Sequence, residues 1–223
     1  MNLLDHITNR LNSEKPYDST KSFHISDMGK CFRMRVLKRM GKTAQAIPIR
    51  NRMLMQVGNL IHHYIQSSVG GVSEYRVYWP LYELSGRCDL IKDGILYDIK
   101  TCHSGKLLYG EVDPNYMKQL ITYWLLLRNK FHIKRAVIAL VSRDDMLIKE
   151  EPFYLLPNVQ KEVYSDLQTL RRWWLKRDKE LPPELERGNW QCKYCSYYIH
   201  CPEVMKWLPE EKGKKRVPKK KKV

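Results

Sequence analysis

The segment SGRCDLIKDGILYDIKT, residues 85–101, holds Asp89, Asp98 and Lys100 at a spacing suited to phosphoryl chemistry. A two-residue Asp93-Gly94 loop pairs Lys92 with Ile95. Carried back along the hairpin, that register sets Asp89 opposite Asp98 and Arg87 opposite Lys100. Alternation then puts Arg87, Asp89, Asp98 and Lys100 on one face and Cys88, Leu90, Tyr97 and Ile99 on the other. Facing carboxylates stand about 5 Å apart at Cβ and repel. A hard divalent cation, Mg²⁺ or Mn²⁺, turns that repulsion into affinity, because such ions take oxygen ligands. Lys100 would stand beside the same ion, placed to orient a water or to meet charge developing on a phosphate. The plainer alternative is a solvated hairpin face around a common Asp-Gly turn.

Other residues of the right chemistry surround this hairpin in sequence. His62 follows Gly58 by one helical turn in GNLIH, where the absent side chain at Gly58 lets a helix approach its neighbour closely. An imidazole suits Mn²⁺ better than Mg²⁺, and the adjacent His63 competes for the role. Gln119 and Tyr123, in QLITY, are four residues apart and share one helix face, an amide and a phenol able to hold a phosphate or a water. Of six cysteines, three form C-x2-C-x5-C, Cys192, Cys195 and Cys201, among Trp190, Tyr194, Tyr197 and Tyr198. Three thiolates leave a four-coordinate site one ligand short. Cys31 is the natural fourth, since Cys88 and Cys102 lie within the hairpin's own neighbourhood and read as buried or near-site thiols. The resulting clip would close a loop of roughly 160 residues and restrict the unfolded chain. Spacing alone leaves zinc and iron-sulfur both open.

The elements that must position these groups follow from periodicity. Asp27 to Met40 reads as a helix stopped by Gly41, with Cys31 in its first turns, and about Arg52 to Ser68 as a second, closed by Gly70-Gly71. Strands are expected over Tyr75–Leu84, Arg87–Lys92 and Ile95–Thr101. Asp113-Pro114 caps a helix running to about Lys130. RAVIALVS, Arg135 to Ser142, suits a buried strand, and Leu147–Leu155 suits another. A long amphipathic helix begins at Pro157 and reaches about Lys179 before Pro182-Pro183. Residues 1–22 read as irregular, 23–207 as one domain that includes the cysteine segment 190–201, and 208–223 as a basic disordered tail.

In this order G-x3-H (Gly58, His62), G-x2-D (Gly86, Asp89), D-x-K (Asp98, Lys100) and Q-x3-Y (Gln119, Tyr123) resemble the motifs of the PD-(D/E)XK nucleases, in their RecB-like branch. The resemblance covers about residues 26–201 and departs mildly in having Asp98 where Glu is commoner. It implies an α/β fold, a mixed sheet flanked by helices, with His62, Asp89, Asp98 and the Ile99 carbonyl around one or two metal ions. It implies Lys100 as the catalytic lysine and Gln119 and Tyr123 as contacts to the DNA end. Ser26 to Cys31 (S-x4-C) before this core and C-x2-C-x5-C after it resemble the iron-sulfur-stapled exonucleases of the branch, among them AddB-type repair nucleases and the small CRISPR-associated exonuclease. That likeness favours one 4Fe-4S cluster on Cys31, Cys192, Cys195 and Cys201 over zinc. The expected activity is a metal-dependent DNA exonuclease on single-stranded ends or overhangs, working with an integrase or helicase in CRISPR adaptation, repair or viral DNA processing. Endonuclease action is a variant of that expectation. The rival is a non-catalytic DNA-binding subunit, which has no need of facing carboxylates that repel DNA.

Charge agrees with a polyanionic partner. The chain of 223 residues has 40 Lys+Arg against 24 Asp+Glu, a net +16. Eight of the basic residues lie between Lys212 and Val223, leaving a body of only +8. Lys214, Lys215, Arg216, Lys219 and Lys220 could form an electrostatic arm for DNA or a solubilising end; nuclear import is a weaker reading of the same residues. Neither a secretory signal nor a stretch of about 20 apolar residues is readable, so an intracellular, cytoplasmic protein without a membrane partner is expected.

Overall fold

A computed structural model describes residues 3–13, 20–153 and 157–213. Strands β1 (Phe23–His24), β2 (Val72–Trp79), β3 (Leu84–Lys92), β4 (Ile95–Cys102), β5 (Arg135–Ser142) and β6 (Ile148–Phe153) form one mixed sheet in the order β1-β3-β4-β5-β6, with β2 also paired to β3. β5 is parallel to β4, and its run of branched and small apolar residues is buried almost throughout because both faces of the sheet are covered. On one face, α5 (Pro114–Leu127) and α6 (Pro157–Lys176) bring Leu120, Ile121, Val163 and Leu167 against Leu84, Leu96, Ile138 and Leu140. On the other, Ile61 and Ile65 of α3 (Ile49–Val69) pack on Ile99, Ala139 and Val141. Pro114 stands at the first turn of α5, and the Asp113 carboxylate accepts the N–H of Asn115, the cap that the sequence predicts.

The Asp93-Gly94 turn forms with both residues at positive φ, 51° and 73°, and pairs Lys92 with Ile95 as expected. The ladder continues only to Leu90 opposite Tyr97. Beyond it β3 and β4 part, so Arg87, which pairs with Arg76 of β2 on its other edge, is not paired with Lys100. Strict alternation fails there too: Cys88 joins the core under α5, whereas Ile99 packs beneath α3.

Several other expectations shift. Residues 1–22 are not irregular throughout: α1 spans Leu3–Ser13, with Leu11 buried and Arg52 of α3 donating to the Leu11 carbonyl and to Asn12. The helix expected from Asp27 divides into a 3₁₀ turn, Ile25–Asp27, and α2, Phe32–Arg39, because Gly29 turns the chain at φ 77° against Asn115. Cys31 is therefore the N-cap of α2. Two helices without a long apolar stripe, α4 (Ser104–Tyr109) and α7 (Trp190–Tyr194), are additional. So is α8 (Pro202–Gly213), which carries ordered chain past residue 208, where Leu208 is fully buried beside Val204 and Trp207. Lys214, Lys215, Arg216, Lys219 and Lys220 lie outside the described residues. Among the described residues no helix is long and apolar enough to cross a membrane.

Candidate active site

The parting of β3 from β4 creates the site. β2 covers one edge of β3; the opposite edge is shared by β1 at Leu84–Ser85 and by β4 at Leu90–Lys92. Between those contacts the backbone of β3 has no strand partner on that edge, and a buried peptide group left unpaired is costly. Side chains fill the gap. The Tyr123 hydroxyl accepts the Arg87 N–H at 3.0 Å and donates to the Arg87 carbonyl at 2.9 Å. Gln66 of α3 donates to the Asp89 carbonyl at 2.9 Å and to Glu74 at 2.8 Å. From β4, the Ile99 N–H reaches back to Asp89 Oδ2 at 2.7 Å.

Asp89, Asp98, Lys100 and His62 converge in this gap. Lys100 Nζ donates to Asp98 Oδ1 at 2.8 Å and stands 5.2 Å from the Tyr116 ring centroid. Asp98 is 2% exposed, and its Oδ2 is buried without a hydrogen-bond partner. His62 Nδ1 lies 3.8 Å from Asp89 Oδ1, while His63 is exposed, so the structure chooses between the neighbours. Gly58 lets α3 come down on β4: a Cβ there would stand 3.1 Å from Thr101 Oγ1.

The electrostatics follow from burial and like charge. Desolvation pushes the Asp98 carboxyl up to about 6; Lys100 opposes the rise and Asp89 adds to it. Desolvation likewise raises Asp89, against the pull of Lys100 and the Ile99 N–H. For Lys100, burial alone would depress the ammonium, but the two aspartates outweigh burial and raise it, so the lysine stays charged. Burial, then the Lys100 charge, lowers His62, leaving a neutral imidazole with a lone pair available. Burial also pushes the Tyr123 phenol up, so its hydroxyl keeps the proton that it donates to Arg87.

Among the described residues, no three His, Cys, Asp or Glu side chains converge at ligand spacing. Asp98 is turned onto Lys100 instead. The donor set nevertheless fits a hard divalent ion. The orphaned Asp98 oxygen, the Asp89 carboxylate and a neutral imidazole stand around one lysine.

Lys100 and Gln119 line a cleft of about 780 Å³ that extends to Cys31, Cys192, Cys195 and Cys201. All six cysteines are unpaired, and Cys88 and Cys102 are buried away from this lining. Burial, then the neighbouring Cys31 and Cys195, pushes the Cys192 thiol up to about 11; burial raises Cys201 to about 12. The two cysteine-bearing segments are bonded to each other. The Cys31 N–H donates to Gln191 at 2.9 Å, Arg33 to the Pro182 and His200 carbonyls, and the Gln45 N–H to the Ser196 carbonyl at 2.7 Å.

Sequence reasoning missed Gln66, Glu74 and Tyr116. Gln66 sits one helical turn beyond His62 and Tyr116 three residues before Gln119, both on faces already identified. Glu74, at φ 54° and ion-paired to Arg87, had no local signal.

The chain matches no protein-family model and no curated protein. It is similar to solved structures at the level of the fold. The structure named SSO0001 has 20% identity and TM-score 0.52, over 90% of this chain and 94% of that one. The exonuclease LHK-Exo, in complex with dAMP, has 16% identity and TM-score 0.50, over 72% of this chain and 94% of its own. It is an alkaline exonuclease from Laribacter hongkongensis. A protein from Eubacterium rectale, provisionally named an exonuclease, has 13% identity and TM-score 0.54, over 79% and 90%. The mixed sheet flanked by helices is thus the fold of exonuclease-like structures.

Proposed function

We propose that the protein is a metal-dependent PD-(D/E)XK DNA nuclease of the RecB-like branch, acting as an exonuclease on single-stranded ends or overhangs. The observation that carries this reading is the buried, unpartnered Asp98 oxygen beside Asp89 and a charged Lys100. A binding protein would gain nothing from two desolvated carboxylates that repel phosphate. Exonuclease-named structures of the same fold, one with dAMP bound, support it.

His62, Asp89, Asp98 and the Ile99 carbonyl would hold Mn²⁺ or Mg²⁺, which supplies Lewis acidity and a more acidic bound water. Lys100 meets charge developing on the phosphate or orients the attacking water, and the aspartates keep its proton in place for that role. Tyr116 limits where the ammonium can go. Gln119, which lines the same cleft as Lys100, would contact the DNA end. Tyr123 acts one step back: its hydroxyl holds the strand that carries Asp89.

Cys31, Cys192, Cys195 and Cys201 would carry one 4Fe-4S cluster of structural role, supported by their shared cleft lining and by the hydrogen bonds joining their segments. Zinc is the alternative metal. CRISPR adaptation, repair and viral DNA processing are all settings for such an enzyme, with an integrase or helicase as partner. Anaerobically purified protein with Mn²⁺ and end-labelled single-stranded DNA tests the activity. Wild type should shorten the strand, and Asp98→Ala and Lys100→Ala should each lose about 100-fold or more. An intact substrate, or variants that cut as well as wild type, rejects the reading.

A further inference from the structure

Unlike the exposed Tyr64, Tyr78 and Tyr109, which lie outside it, Trp190 and Tyr194 line the cleft that Lys100 also lines. Trp79, Trp174 and Trp207 pack on the cores, and Trp79 and Trp174 make edge contacts with Tyr82, Tyr164 and Phe23. Trp190 and Tyr194 are 53% and 74% exposed, one helical turn apart on α7, with ring centroids 6.5 Å apart at 60°. That separation lies near the outer limit for an aromatic pair, so the two rings satisfy each other poorly and keep open faces. Both line the cleft that Lys100, Tyr116 and Gln119 also line.

We infer that Trp190 and Tyr194 form a stacking platform for unpaired bases of a DNA strand whose phosphodiester lies at Lys100. The inference rests on the nuclease reading and adds to it the site that selects a single strand. Open aromatic faces take nucleobases of any sequence, because every base presents a π-face. A base inside a duplex already has both faces covered by its neighbours, so an unpaired strand is the occupant that gains. Continuity of the cleft places bases at α7 while the backbone of the same strand meets the cation at Lys100, and the net charge of +16 draws a polyanion to the molecule.

The test is binding without cleavage, in EDTA, using the whole protein and two fluorescent probes: a 20-nucleotide oligothymidine and a blunt 20-base-pair duplex. Wild type should bind the single strand more tightly than the duplex. Tyr194→Ala and Trp190→Ala should each weaken single-strand binding by about five- to 150-fold, the range that stacking one base supports, and Trp190→Phe and Tyr194→Phe should recover most of it. The slope of log affinity against log salt should stay unchanged in the alanine variants, since stacking releases no counterions. Because Tyr194 is mostly exposed, its alanine variant reads the platform without disturbing a core. If the alanine variants bind the oligothymidine like wild type, or wild type prefers the duplex, the platform is refuted and the nuclease reading stands. If wild type binds neither probe in EDTA yet shortens the strand with Mn²⁺, the platform alone is refuted; if it does neither, both fall.

Discussion

Tyr123→Phe separates two roles that the sequence leaves joined. The family resemblance gives this tyrosine a contact with DNA, whereas the structure commits its hydroxyl to both backbone groups of Arg87, at 3.0 and 2.9 Å, with the ring only 3% exposed. Removing the oxygen leaves one N–H and one carbonyl of β3 unpaired where no strand can reach them. Each unsatisfied group costs about 1–3 kcal/mol when buried, and partial exposure here points to the low end, so about 2 kcal/mol together. For a chain of this length that corresponds to a fall in Tm of about 4–8 °C. Asp89 lies two residues along the same strand, so the released backbone lets its carboxylate drift and turnover should fall by about tenfold or more. Affinity for DNA in EDTA should stay within about twofold. The measurements are thermal unfolding by circular dichroism, single-turnover cleavage with Mn²⁺, and fluorescence anisotropy without metal. An unchanged Tm together with markedly weakened DNA binding would show the hydroxyl on the substrate and refute the positioning argument.

Other consequences are as specific. Because the Asp98 carboxyl is raised to about 6, the folded protein holds that proton more tightly than the unfolded chain; metal-free stability should fall as pH rises through about 6, and Mn²⁺ should restore it. A metal-free Tm that rises between about pH 4 and 6 would contradict this sign. Gly86→Ala puts a Cβ 2.7 Å from the Tyr123 hydroxyl and 2.9 Å from Ile25, so it should mimic Tyr123→Phe in turnover while retaining fold by circular dichroism; full activity would mean that the strand there is compliant. Arg35→Met strands Asp166, its partner at 2.6 Å in the core under α2 and α6, and should cost about 3–5 kcal/mol in urea unfolding. Cys192→Ser should lower iron and sulfide content and visible absorbance in anaerobic protein; a colourless wild type containing zinc would replace the cluster with the alternative metal.

What the sequence made legible was whatever is encoded locally. The Asp-Gly turn dictated its own φ values and with them the register of three residue pairs; the Asp113-Pro114 cap announced α5; β5 declared itself by continuous apolar character. His62, Asp89, Asp98 and Lys100 were placed together by the same local logic plus the order of motifs. Where extrapolation failed, a nonlocal interaction intervened. Nothing in residues 85–101 says that the ladder stops at Leu90 and Tyr97, because the groups that end it belong elsewhere: Tyr123 on α5 and Gln66 on α3 supply the hydrogen bonds that a continued ladder would have supplied. The stop is what makes the site. Had the register continued, Asp89 and Asp98 would stand side by side on a flat face; parted strands instead let Asp89 take the Ile99 N–H and leave Asp98 buried with one oxygen free. The α1 and α8 helices were missed for a related reason, since each is short or polar by itself and finds its partners only after the chain has folded: the Leu11 carbonyl accepts from Arg52 of α3, and Leu208 joins a cluster with Cys192 and Leu185. A motif read along one hairpin therefore suggests a chemistry, while the residues that part the hairpin's strands, Tyr123 and Gln66, are found on the helices packed against it.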